Sequence, residues 1–283
     1  MPRMLVKLIK KSRRQQYDVS SKDVFVITVE LLDNAVLECT LSSESTGRSV
    51  EALSHLFYHM ITKGSSRKYF HNNRDCLDNV SQRLGLQQPD LFGLKYVSRR
   101  SYPKIRWVDL ERPLKKQLDK YSTEPYLFLG VIFYVTDVSL LEDEVTRYHY
   151  FLQLKMDVVE GRLRCNHEQA IVLASYSLQA EFGDHDPEKH TAEYLKEFPL
   201  LPKPMVDQFE DRLGALTDAV VMQHASLAGI AQQLAEIYYI VGAQQLEGYG
   251  QECFLAKDDA GNEVLLAPSL IGTWQFVRNI SSS

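Results

Sequence analysis

Between Ile171 and Gly183 the chain reads IVLASYSLQAEFG, apolar on every side for three turns before it stops at Gly183-Asp184. The run is shorter than the roughly 18 apolar residues of a membrane-spanning helix, and Gln179 and Glu181 interrupt it. A helix apolar all round has to be surrounded by protein. Asn166 stands where such a helix would be capped, with Gln169 three residues on as a capping-box partner. The stretch therefore predicts the central helix of an all-helical lobe, a core and not a pocket.

The flanking text fits that reading. Leu141, Val145, Tyr148, Leu152, Met156 and Val159 step by three or four and predict one face of a preceding helix. The stripe Tyr148, Phe151, Leu152 and Met156 reads as core packing, and Gly161 as a left-handed stop. Further helical patterns run from Glu193 to about Gln245, broken at PLLPKP.

Upstream the period is two. In VFVITVELLDNAVLECTL (24–41), Phe25, Ile27, Val29 and Leu31 share one face, and Leu37, Cys39 and Leu41 another. Asp33-Asn34 is expected to join the two strands as a two-residue turn that tolerates positive φ. CLDNVSQRLGL reads as a helix, and LFGLKYV, IRWVDL and YLFLGVIFYV as strands. A hairpin, a helix and more strands is the order of a β-grasp, ubiquitin-like unit. From Tyr249 the chain turns strand-like again, with a turn at Asp259–Asn262.

Charge and cysteines narrow the setting. The net charge is −5 and the pI near 5.9, so nothing global points to nucleic acid. The distribution is uneven: Arg3, Lys7, Lys10, Lys11, Arg13 and Arg14 all precede the first acid, Asp18. That arm suits an anionic membrane surface; the plainer alternative is a solvated, frayed terminus. Lys115 and Lys116, beside a Pro113-Leu114 turn, offer the same chemistry or a solvated loop. The N-terminus lacks the long apolar core of a secretory signal. Cys39, Cys76, Cys165 and Cys253 form no C-x-x-C pair, which suits reduced thiols in the cytoplasm.

Phosphate-loop, nucleotide and hydrolase motifs are missing from the sequence. A tyrosine phosphatase needs a low-pKa Cys and an Arg in a Cys-x5-Arg cradle preceded by His. Cys76 comes nearest, with Arg83 one position too far and no Gly between. His55 and His59 have zinc-compatible spacing but no Glu beside them and no third ligand. Asp184, His185, Asp186 and His190 look metal-like, though Asp and Gly there have a sufficient role in ending a helix and turning. No catalytic residue, metal site or cofactor is expected.

Four segments carry a resemblance. RWVDLERPLKKQL, EVTRYHYFLQLKMDVVEGRLRC, LASYSLQAEFGDHDP and LEGYGQECFLAKDDAGNEV resemble the corresponding segments of FERM domains, over roughly Ser20–Leu266. Within that family VSSKDVFVITVELLDNAVLECTLSSESTG and PLKKQLDKYSTEPYLFLGVIFYV look most like non-receptor tyrosine phosphatases of the Pez class, which carry FERM at the N-terminus and the phosphatase far downstream.

The resemblance implies an α+β, three-lobed FERM fold. Its parts would be a basic arm at 1–19, a ubiquitin-like β-grasp lobe at 20–135, an all-helical, acyl-CoA-binding-protein-like lobe at 136–245 and an incomplete PH/PTB-like lobe at 246–283. Residues 48–75 interrupt the first lobe and are expected to be extruded, and the third lobe loses the family pattern near LAPSLIGTWQFVRNISSS.

The implied function is that of a non-catalytic adaptor between membrane or juxtamembrane partners and the cortical cytoskeleton. Lys7, Lys10, Lys11, Arg13, Arg14, Lys115 and Lys116 would face the membrane. Partners would be acidic phospholipid and cytoplasmic tails or scaffold proteins of the cell cortex, with no nucleic acid. The alternative is an N-terminal fragment of a non-receptor tyrosine phosphatase whose catalytic domain lies outside the chain.

Overall fold

The structure is a computed structural model that describes residues 24–42, 76–100, 104–195, 197–209, 212–251, 254–257, 263–268 and 274–279. The arm at 1–19, the whole of the 48–75 segment and the Asp259–Asn262 turn lie outside them. Two compact units result. One comprises the described residues of 4–132 and 142–153, the other those of 133–141 and 154–283.

The first unit is built on a five-stranded sheet in the order β2-β1-β5-β3-β4. β1 (Val24–Glu30) and β2 (Val36–Ser42) are antiparallel, and β1 runs parallel to β5 (Tyr126–Val131). β3 (Phe92–Val97) pairs antiparallel with both β5 and β4 (Ile105–Trp107). Ile27, Val29, Cys39, Leu41, Leu94, Leu127 and Leu129 are buried, while Glu38 and Thr40 are exposed, as the alternation requires. Helix α1 (Cys76–Leu84) adds Leu77 and Val80 to the core. It is tied to β2 by Arg83 Nη1, which donates to the Glu38 carbonyl at 2.9 Å. This is the β-grasp arrangement that the strand order predicts.

The hairpin differs in one respect. Leu31 N–H donates to Ala35 O at 2.8 Å and Asn34 N–H to Leu31 O at 3.0 Å, so the loop holds Leu32, Asp33 and Asn34, not two residues. Asn34 takes φ 62°, the left-handed conformation that closes a three-residue loop.

PLKK is not a loop. Leu114–Tyr121 form helix α2, whose Leu114 and Leu118 are buried. The next helix in the chain, α3 (Glu144–Val159), carries the expected periodicity but buries a different face. Val145 and Met156 are exposed and Tyr148 and Leu152 half-buried, whereas Thr146, His149, Tyr150, Phe151, Gln153, Leu154, Asp157 and Val158 are buried. Two of the buried polar groups there, Gln153 and Asp157, have partners. Gln153 Oε1 accepts Val131 N–H at 3.1 Å, and Asp157 accepts Tyr134 Oη–H at 2.6 Å and Arg162 Nε–H at 2.7 Å.

The second unit is organised around α4 (His167–Phe182), opened by the expected capping box of Asn166 and Gln169 and closed by Gly183 at φ 77°. Ala170, Leu173, Ala174, Ser175, Ser177, Leu178, Gln179 and Ala180 are all buried. Around it stand α5 (Ala192–Leu195), α6 (Lys203–Gln208), α7 (Leu213–Ala225) and α8 (Gln232–Gln244). Contact with α8 is close: a Cβ on Gly242 would lie 3.0 Å from Leu173 Cδ2. Gln179 uses its amide on Ile230 O at 2.6 Å and Asp184 Oδ1 at 2.9 Å, so a glutamine in the centre of an apolar helix is hydrogen-bonded. The last described strands, β6 (Phe254–Lys257), β7 (Glu263–Pro268) and β8 (Trp274–Asn279), form an antiparallel meander. The sheet thus continues through WQFVRN, past the point where the family pattern in the sequence ends.

Candidate functional site

A cationic surface forms where the ends of β3 and α2 meet β4. The chain is laced together there by its backbone. Ser98 N–H donates to Lys104 O at 2.7 Å, Arg99 N–H to Tyr121 O at 2.9 Å and Thr123 N–H to Val97 O at 3.1 Å. Ser98 and Ser122 are paired in a short bridge. The loop from β4 to α2 is clipped by Gln117. Its Oε1 accepts Asp109 N–H at 2.9 Å, and its Nε2 donates to Asp109 O at 2.7 Å and Arg112 O at 2.9 Å. Trp107 packs closely over β3 at Gly93, where a Cβ would stand 3.0 Å from Trp107 Cζ3. Lys95 Nζ lies 4.7 Å from the Trp107 ring centre.

Tyr121 is the centre of this surface. Lys120 Nζ is 5.1 Å and Arg106 Cζ 6.0 Å from its ring centre. Lys120 lowers the phenol's pKa by hydrogen bonding and by charge, with Arg112 and Arg100 adding smaller contributions in the same direction. Arg99 is turned aside, its Nε donating to Ser122 O at 2.5 Å. Residues 99–121 carry eight cations and three acids, a net of +5, within a chain whose net charge is −5. Arg100, Lys104, Arg112, Lys116 and Lys120 are exposed. Such a face attracts multiply charged anions by summed field more than by any single contact.

Of the residues singled out from sequence, Lys7, Lys10, Lys11, Arg13 and Arg14 lie outside the described residues. Lys116 is exposed on α2, and Lys115 is half-buried in an ion pair with Asp119 Oδ2 at 2.6 Å. An exposed i,i+4 pair of this kind is worth only about 0.3–0.5 kcal/mol, so Lys115 can be recruited at small cost. The cations nearest Tyr121 were missed. The signal was there: RRSYPKIRW interleaves four cations with two aromatic residues. Cys76, nearest to the Cys-x5-Arg spacing, opens α1 and is fully buried. Cys39, also fully buried, has its thiol pKa lowered to about 7, chiefly by a hydrogen bond with Cys76, against burial and with help from Arg83.

The turn after α4 gathers a second group. His185 and His190 are joined by His224 from the last turn of α7, with ring centres 5.8, 5.5 and 5.6 Å apart for the pairs 185–190, 185–224 and 190–224. Asp184 and Asp186 are engaged in the turn itself. Asp184 Oδ1 accepts from Gln179 and from Gly229 N–H, and Asp186 from Glu188 N–H and Lys189 Nζ.

Comparison with known proteins bears on both units. The FERM central domain model matches residues 136–254 and the FERM N-terminal domain model residues 71–120. The chain is 43% identical over 271 residues to mouse (Mus musculus) tyrosine-protein phosphatase non-receptor type 14, covering 96% of this chain and 20% of that protein. It is 35% identical over 228 residues to mouse band 4.1-like protein 4A, covering 80% of this chain and 29% of that protein. The chain thus spans about a fifth of the length of the phosphatase. Among solved structures it superposes on the FERM and C-terminal domain complex of Drosophila Merlin with a TM-score of 0.67 at 22% identity, covering 87% of this chain and 73% of that one. With a β-grasp sheet, a helical lobe around α4 and a further antiparallel sheet, this chain belongs to the FERM-domain family and is similar to the FERM regions of non-receptor tyrosine phosphatases.

Proposed function

We propose that the chain is a non-catalytic FERM adaptor that seats its β-grasp lobe on acidic phospholipid and presents its other surfaces to cytoplasmic tails or scaffold proteins of the cell cortex. The observation that carries this is the +5 face around Tyr121 on a chain of net −5. Juxtamembrane cations contribute about 1 kcal/mol each near an anionic leaflet. Lys116 and the recruitable Lys115 are part of that +5, and Lys7, Lys10, Lys11, Arg13 and Arg14 add to the same attraction from the arm. Protein recognition is supported by Merlin, whose FERM domain was solved in complex with its C-terminal domain. We divide the module at 135/136 and 245/246, with the arm at 1–19.

Co-sedimentation with vesicles tests this. Arg100→Gln, Lys116→Gln and Lys120→Gln together should weaken binding to phosphatidylserine vesicles by about 100-fold, as roughly 3 kcal/mol would. Roughly 0.5 M salt should strip the wild-type protein off, because screening then acts over only a few ångströms. Binding that ignored both changes would refute the reading.

A second reading is favoured by the phosphatase relatives, of which the chain spans about a fifth. In it the module is the targeting portion of a longer tyrosine phosphatase whose activity lies outside these residues. Transcript sequence coding for a Cys-x5-Arg loop in the same reading frame would establish it, and its absence from every transcript would exclude it.

A further inference from the structure

We propose that His185, His190 and His224 form a binding site for a transition-metal dication such as Zn²⁺, which clasps the turn after α4 to the last turn of α7. One ring nitrogen from each lies within 4.8 Å of the other two. Three imidazoles on one tetrahedral ion, at bonds of about 2.0–2.1 Å, hold their ring centres roughly 5 Å apart. The observed triangle, 5.5 to 5.8 Å on a side, is slightly wider than that. Closing it takes a small movement of His185, which is half-exposed on a turn, while the other two are held in the core.

The protonation pattern suits ligation. His224 is fully buried and directs Nε2 at the Gly183 carbonyl, 2.9 Å away, so Nε2 carries the proton and Nδ1 keeps a free lone pair. A carbonyl that fixes the tautomer from behind is the usual support of a metal-binding histidine. Nδ1 of His224 and Nδ1 of His185 are both buried, and neither has a hydrogen-bond partner. Two buried ring nitrogens of one cluster without partners are uncommon in a folded chain. A bound cation would satisfy them.

His190 is the ligand with something to give up. Its Nδ1 accepts the Asp186 N–H at 3.0 Å, and that contact is exchanged for the metal bond. Burial lowers the pKa of both His190 and His224, so these imidazoles reach neutral pH without a proton to displace. All three donors are imidazole nitrogens, and the nearby carboxylates of Asp184 and Asp186 are held in the turn. Imidazole nitrogen selects Zn²⁺, Cu²⁺ or Ni²⁺ over the oxygen-seeking Ca²⁺ and Mg²⁺. The half-exposed side of His185 leaves the fourth position to water.

The test is calorimetric titration of tag-free, chelator-treated protein with Zn²⁺, with Co²⁺ absorption as the spectroscopic readout. One equivalent should bind, giving a tetrahedral Co²⁺ spectrum and raising the melting temperature by roughly 4 °C or more at saturation. His185→Gln and His224→Gln should each weaken binding at least tenfold, while His55→Ala with His59→Ala should leave it unchanged. Ca²⁺ and Mg²⁺ should have no effect. His185 is half-exposed, so its variant keeps the test decisive if the His224 variant fails to fold. No binding, binding that survives His185→Gln, or binding lost with His55 and His59 would overturn the proposal.

Discussion

Gln117 is 7% exposed, yet it accepts from the Asp109 amide and donates to two carbonyls. The cations on either side of it are therefore held on a fixed frame. Tyr126 shows the same economy with a titrating group. Its hydroxyl donates to Glu30 Oε2 at 2.6 Å, and burial first, then Glu30, pushes its pKa up to about 12. The unfolded value is about 10, so the raised folded value favours the protonated, folded state. The contribution is complete below pH about 10 and is lost as pH rises towards about 12. Tyr126→Phe should flatten the fall in denaturation midpoint across that window. Tyr96, Tyr134 and Tyr239, also raised mainly by burial, contribute to the slope that remains. An unchanged slope in Tyr126→Phe would disprove its share. At this scale, legibility depended on sequence distance. Asn166 and Gln169 are three residues apart and their capping box was readable, whereas His224 meets His185 only because α7 returns to the end of α4.

Among the elements, α4 is the one on which the helical lobe depends. Ala174 and Leu178 are 2% and 1% exposed and share a cluster with Ala170, Leu195, Leu201, Met205 and Val220. Leu178→Ala should cost about 2–5 kcal/mol. A melting transition left unmoved would remove α4 from the centre of the lobe. Its all-round apolar text and its cap made it legible, because both are local signals. Helix α3 was legible as a helix but not in its orientation. Its apolar stripe suggested Val145 and Met156 as core, yet the sites facing inward include Gln153 and Asp157, which are buried because each has a partner elsewhere in the chain. Periodicity counts apolar residues and is blind to polar ones that are satisfied. The same holds for α2, which begins directly after Pro113 where the sequence suggested a turn.

At the scale of the whole molecule, the β-grasp and helical parts were readable as an order of periods, two and then three to four. The cations were read at the arm and at Lys115 and Lys116 but not at residues 99–112, which come together only when β4 pairs with β3. That pairing has a consequence for the molecule in solution. Among the described residues β4 stands at the end of the sheet order and is only three residues long, so its free side offers hydrogen-bonding groups to any passing strand. Lys104 beside it and Arg106 within it make that side repellent to a second copy. The charges assigned to lipid attraction are thus also gatekeepers against fibril-like stacking. Neutralising Lys104 and Arg106 with glutamine should produce concentration-dependent light scattering, while glutamate at both positions should keep the protein monodisperse. Equal scattering from the two variants would show that the edge is guarded by other means.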